Sequence, residues 1–225
     1  MLGHPTQGWQ MSKIFIAVLV CIGAAPLGAL AAEPVNLAED TYKADLGVIV
    51  LQVNWGRIWK CNKFENVQLQ AMTFSRSPVD HRESISLELE TPSKLFVDNK
   101  YLPYALVVQP GEYLLTAFDV KVARSGTDVV HILAGKEKLV REGKSIAGSF
   151  KVEPGEIVYV GHFGIECGAE PFLWRYYVDG RQEFVGSVEA FRKRYPFLKD
   201  VPVHFRLFST RTIGEPYSLQ DPIVK

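Results

Sequence analysis

The sequence predicts an all-β protein, an antiparallel β-sandwich with one short C-terminal helix. Three observations point there. Short apolar runs alternate with Pro, Gly, Asn and Asp punctuation along most of the 225 residues, the pattern of a sandwich or barrel. Ser84 to Glu90 (SISLELE) alternates cleanly, placing Ile85, Leu87 and Leu89 on one face of a strand. Two corners, Pro110-Gly111-Glu112 and Pro154-Gly155-Glu156, each join one apolar run to the next.

Met11 to Glu33 reads as a secretory signal peptide. Lys13 supplies the positive n-region, Ile14 to Gly23 the apolar h-region, and Ala29-Leu30-Ala31 the small residues for cleavage. Residues 1–10 have neither basic charge nor an apolar run, so Met11 is the expected start. The expected organisation is a signal peptide over 1–31 and a single sandwich domain over 32–225, periplasmic or secreted. No apolar run after residue 33 approaches the roughly 20 residues that span a bilayer, so no transmembrane segment is expected after cleavage.

Candidate strands then follow at Leu46 to Val53, Val67 to Phe74, Ser84 to Glu90, Lys94 to Val97, Tyr104 to Val108, Tyr113 to Val122 and Val129 to Leu133. Ala134 to Ser145 is polar, charged and rich in glycine, and reads as an exposed loop or hairpin tip with Leu139-Val140 touching the body. Phe150 to Val152, Ile157 to Phe163, Phe172 to Val178 and Val203 to Phe208 complete the strands. In the helix, Ser187 is placed to cap, Glu189 suits the first turn, and Val188, Phe191 and Tyr195 share a face before Pro196. At each Pro-Gly corner, proline presets the first central φ and glycine accepts a positive second φ, the signal of a type II turn.

The run Pro110, Gly111, Tyr113 and Leu115, followed by Phe150, Val152, Pro154, Gly155, Val158, Tyr159 and Gly161, resembles secreted bacterial β-sandwich domains of unknown function. Those domains are similar to the transthyretin-like and carboxypeptidase regulatory-like architecture. The resemblance implies a sandwich and carries over no catalytic residues.

The chain has 25 basic and 25 acidic residues, and loss of Lys13 with the leader leaves a net charge of −1. So even a balance offers no electrostatic footprint for nucleic acid and none for general adsorption to anionic membranes. Of the three cysteines, Cys21 lies in the leader. Cys61 and Cys167 remain, and in an oxidising compartment they pair most simply as one disulfide, worth on the order of 4–5 kcal/mol in a chain-entropy account. Two buried free thiols are the alternative.

Catalytic signatures are absent: there is no Gly-x-Ser-x-Gly elbow, Ser-x-x-Lys, His-Glu-x-x-His or Gly-rich phosphate loop. Among His81, His131, His162 and His204, none is spaced to another as a ligand pair. His162, Glu166 and Cys167 lie close together, but His162 and Glu166 share a strand face only without a bulge, and Gly164 is placed to supply one. No metal or cofactor is expected.

The aromatic run Phe172 to Tyr177 is the leading contact candidate. Strand geometry sets Phe172, Trp174 and Tyr176 on one face, and Arg175 and Tyr177 on the other. Rings beside a cation suit a sugar or an anionic group; core packing with a cross-strand pair is the alternative. Trp55 and Trp59, near Cys61, invite the same two readings. Arg192-Lys193-Arg194 faces away from the apolar stripe of the helix, as a solvated face or as a contact for an anionic envelope surface.

The function these features predict is a non-enzymatic, exported cell-envelope protein that binds a glycan or an envelope protein through Trp59, Trp174, Arg175 and Tyr177. A small periplasmic glycan hydrolase is the alternative, with Glu166 and Glu170, or Asp179 and Glu183, as its acids. A pocket that gathers two acids, or a His with an acid, is the discriminating feature.

Overall fold

Two β-sheets pack face to face, and a helix lies across the outer face of the first. The computed structural model describes residues 35–79, 86–93, 98–176, 181–214 and 223–224. The expected signal peptide with Met11 and Cys21, His81, the expected strand Lys94 to Val97, Tyr177 and Asp179 lie outside the described residues, as does the side chain of Glu183.

In chain order the first elements are β1 (Val35–Asn36), β2 (Gly47–Asn54), β3 (Ile58–Cys61), β4 (Phe64–Arg76), β5 (Ser86–Glu90) and β6 (Tyr101–Val108). Next come β7 (Gly111–Ala123), β8 (Val129–Ala134), α1 (Lys136–Leu139), β9 (Val140–Arg141), β10 (Lys144–Ser145) and β11 (Ser149–Val152). The last are β12 (Ile157–Cys167), β13 (Pro171–Tyr176), α2 (Arg181–Arg194), β14 (Val203–Phe205) and β15 (Ile223–Val224). The first sheet runs β1-β6-β2-β12-β14-β15, with β13 also on β12. The second runs β11-β7-β4-β3, with β8 on β7 and β5 on β4.

The all-β sandwich expected from the sequence is the fold found. Most ladders are antiparallel, but β12 runs parallel to both β2 and β14. A strand covered on both faces favours continuous apolar runs over alternation. GVIVLQVN in β2 and IVYVGHFGIEC in β12 have that character. Ile49, Leu51 and Val53 point into the core between the sheets, while Val48 and Val50 point into a second core beneath α2.

A bulge between Tyr159 and Gly161 shifts the register of β12 against β2, and Gly161 takes φ +109° there. Its effect is to invert the alternation. Val158 and Val160 face the inner core before the bulge, and Phe163 and Ile165 face it after. The inversion brings Cys167 inward, where it forms a disulfide with Cys61 at a Cα separation of 5.3 Å. The bulge thus lies upstream of His162 and not at Gly164, the glycine expected to supply one.

The two Pro-Gly corners both carry the chain between sheets, and they are not alike. Gly155 has φ +71°, and the Glu156 N–H donates to the Glu153 carbonyl at 3.2 Å, a type II turn. Gly111 has φ +151°, which L side chains rarely adopt, and already belongs to β7. There the Tyr113 hydroxyl donates to the Gln109 carbonyl at 2.7 Å, the arrangement of a tyrosine corner.

The helix also differs from expectation. It begins at Arg181, so Ser187 is inside it rather than at its cap. Phe184, Val188 and Phe191 form the buried stripe at helical spacing. Ala134 to Ser145 holds one helical turn and the small β9–β10 hairpin, and Leu139 is buried against the body as expected. The short strand β3, which carries Trp59 and Cys61, was not anticipated.

Candidate functional site

Register sets the outer face of the first sheet in rungs. Val50, Ala105 and Tyr159 form one, and Gln52, Pro103 and His162 the next. Asn54 pairs with Tyr101 beyond them, beside Gly164. The rings of Tyr101 and Tyr159 flank His162, with centroids 4.9 and 5.9 Å away.

α2 covers only part of this face. Its buried stripe packs toward β12 and β14, with the Phe184 ring 5.7 Å from Tyr159 and 4.7 Å from Phe205. The neighbouring stripe is made of small residues, Gly186, Ser187 and Ala190, too short to fill the space above β2 and β6. What remains is a cleft of about 530 Å³ between α2 and strands β2, β6 and β12. Val50, Ala105, Pro103 and Tyr159 give an apolar floor, with Gln52 among them. Arg194 and Tyr195 line the end toward the helix C-terminus, where Tyr195 packs on Phe197 and Phe197 on Tyr42, ahead of β2. Tyr101 lines the other end and is shared with a smaller hollow of about 340 Å³ that includes Asn54, Asn99 and Tyr176.

The Tyr176 hydroxyl lies 2.9 Å from the Ile165 carbonyl and 3.1 Å from the Glu166 carboxylate. Burial, helped by the negative charge of Glu166, holds its pKa well above the usual phenol range. On the inner side of the sheet, the Trp55 indole N–H donates to Tyr104 at 2.7 Å; burial raises the Tyr104 pKa, and that hydrogen bond opposes the rise.

The residues nominated from sequence are not brought together. Arg175 is only 2 % exposed and faces inward, its side chain against Gly214. It pairs with Phe163 across the ladder, and the inversion at the bulge has turned that rung inward. Trp174 is half-buried and packs edge-on to Phe172 at 5.6 Å. With Arg175 buried, the expected contact surface of exposed rings beside this cation is not formed. Trp59, in contrast, is 60 % exposed on the second sheet, with the Arg57 guanidinium 5.5 Å from its ring. Tyr177 lies outside the described residues. His162, Gly164 and Glu166 follow the bulge with one alternation, on the face opposite Cys167, and among the described residues no group of three or more His, Cys, Asp or Glu is placed to hold a metal.

The cleft itself is not foreseen from sequence: Gln52 and Tyr101 are not singled out there, Tyr159 enters only through the resemblance, and Arg194 only within the basic run of the helix. Two signals pointed to it. The strands are apolar on both faces, which demands a layer on each side, and the helix carries Gly186 and Ala190 one turn apart beside its apolar stripe. Comparison of the chain with protein-family models, with curated proteins and with solved structures finds no match.

Proposed function

We propose that this protein is an exported, non-enzymatic binding module of the bacterial cell envelope, and that its site is the cleft beneath α2. The cleft carries this reading. Its volume of about 530 Å³ falls within the range of small-molecule sites, about 300–1,000 Å³. Its lining is apolar and aromatic with a few polar groups, the composition that holds a ligand by burial and orients it by hydrogen bonds. Among the described residues the lining has no carboxylate and no histidine. Glycan hydrolysis would need two acids gathered at the site. Export is supported by the leader-like segment and by the Cys61–Cys167 disulfide, a bond that persists in oxidising compartments.

Two measurements test it. Intact mass of protein expressed with its own N-terminus should show a product starting near Ala32, with two alkylations only after reduction. Titration with the neutral apolar probe phenylnaphthylamine should give a saturable fluorescence rise at one probe per chain, lost in Gly186→Leu. A rise that never saturates, or that survives Gly186→Leu, would overturn the site.

A further inference from the structure

We infer that the ligand of the cleft is a single-chain anionic amphiphile of the fatty-acid type, its acid group at Arg194 and its chain running beneath α2 toward Tyr101. This rests on the binding reading above and adds the chemical class.

Gly186 is the first ground. It sits in the second turn of α2, and a Cβ built there meets nothing within 4 Å. Neither packing nor a positive φ calls for glycine at this position, and inside a helix glycine is less favourable than alanine. The helix therefore gives up stability, and what it gains is open volume above β6. Ala190, one turn later, extends that opening along the helix. A long, narrow gap under a helix suits an extended apolar chain. From Gly186 to Arg194 it runs about 12 Å at the rise of an α-helix, the scale of a medium-length acyl chain.

Arg194 is the second ground. Arg192, Lys193 and Arg194 all complement the negative end of the helix dipole, yet of the three only Arg194 lines the cleft. Its guanidinium lies 5.6 Å from the Tyr195 ring, which positions it at the cleft mouth. No carboxylate of the described residues engages it. A guanidinium presents two parallel N–H groups that match a carboxylate. Among the described residues that line it, the far end is uncharged: Tyr101, then Asn54 and Asn99. One cationic end, an apolar middle and a neutral far end set the orientation of an amphiphile.

The test is displacement of phenylnaphthylamine by dodecanoate, dodecanol and dodecyltrimethylammonium below their micelle concentrations. Dodecanoate should compete best and the cationic amphiphile worst. Arg194→Gln should weaken dodecanoate about tenfold, the loss of one charge-assisted hydrogen-bonded pair, and leave dodecanol unchanged. Gly186→Leu, which loses the probe, should also show no dodecanoate binding by direct calorimetric titration while the protein stays folded by circular dichroism. Equal competition by dodecanoate and dodecanol, or an Arg194→Gln variant with unchanged dodecanoate affinity, overturns the anionic class and leaves the cleft as an apolar site. If phenylnaphthylamine itself does not bind the wild-type protein, the cleft reading and the ligand class fall together.

Discussion

Glu156 and Arg206 form a two-armed ion pair, each terminal guanidinium nitrogen 2.8 Å from one carboxylate oxygen. Glu156 is the glutamate of the second Pro-Gly-Glu corner, and Arg206 directly follows β14. The same carboxylate accepts the Glu153 N–H at 3.0 Å, and Arg206 also donates to the Lys151 carbonyl at 3.2 Å. Corner, β11 and the segment after β14 are thereby tied at one end of the sandwich. Glu156→Ala should lower stability by about 1–3 kcal/mol, read as a lower urea midpoint at unchanged slope. Arg206→Lys should lose much of the same, since an ammonium cannot present the two-armed geometry. An unmoved midpoint in Glu156→Ala would show the pair to be incidental.

The disulfide joins β3 of the second sheet to the end of β12 in the first, across 106 residues of chain. Replacing Cys61 and Cys167 together by alanine should cost about 2–5 kcal/mol. Thermal unfolding with and without reductant checks this: reductant should shift the wild type and leave the double variant unaffected.

Three tyrosines, Tyr113 buried and Tyr104 and Tyr176 half-buried, predict alkaline weakening. Burial pushes the Tyr113 pKa up to about 12 against the lowering effect of Arg76, and it raises Tyr176 and Tyr104 as well. In the unfolded chain these phenols release their protons near pH 10, so the folded state holds more protons above that pH. Their contribution is complete below about pH 10; that of Tyr113 is lost as pH rises through about 12, and those of Tyr104 and Tyr176 are lost above pH 10 as well. Tyr113→Phe should flatten part of that fall. At neutral pH it should cost about 1 kcal/mol for the lost bond to Gln109. Urea midpoints measured from neutral to strongly alkaline pH separate the two effects; an identical alkaline slope in the variant would refute the assignment to Tyr113.

Gly161 sustains the bulge at φ +109°, and a Cβ there would sit 3.0 Å from Leu207 Cδ2. Gly161→Val should cost about 1–3 kcal/mol through backbone strain. Closing the bulge would send Phe163 outward and His162 inward, so phenylnaphthylamine binding should fall along with stability. A variant with wild-type stability would mean that this position tolerates a side chain.

Much of the sandwich was legible because its strands announce themselves by short apolar runs, and the corners by Pro-Gly. The strand over Tyr113 to Val122 and the one over Leu46 to Val53 were placed to within a few residues of β7 and β2. The site was not legible for a local reason. Alternation along Phe172 to Tyr176 was read correctly as two faces, but which face is inside depends on the pairing partner. Arg175 pairs with Phe163, and Phe163 faces inward only because a residue was inserted upstream in β12. A side-chain period of two cannot reveal a slip in another strand. The helix start was missed for a similar reason: the serine that fits a cap at Ser187 is nearly two turns inside a helix whose buried stripe already begins at Phe184.

The parallel ladder between β2 and β12 has a consequence in time. Val48 and Ile157 are partners, although nearly half of the chain separates them, and β14 joins the same ladder later still. Delivered from its N-terminal end, the chain can close β4 on β7 early, but the centre of the first sheet has to wait for residues past Ile157. Long-range pairing of this kind forms slowly. Until residues past Ile157 are available, β2 and β6 lack the strand at the centre of their sheet, and the first sheet closes after the second.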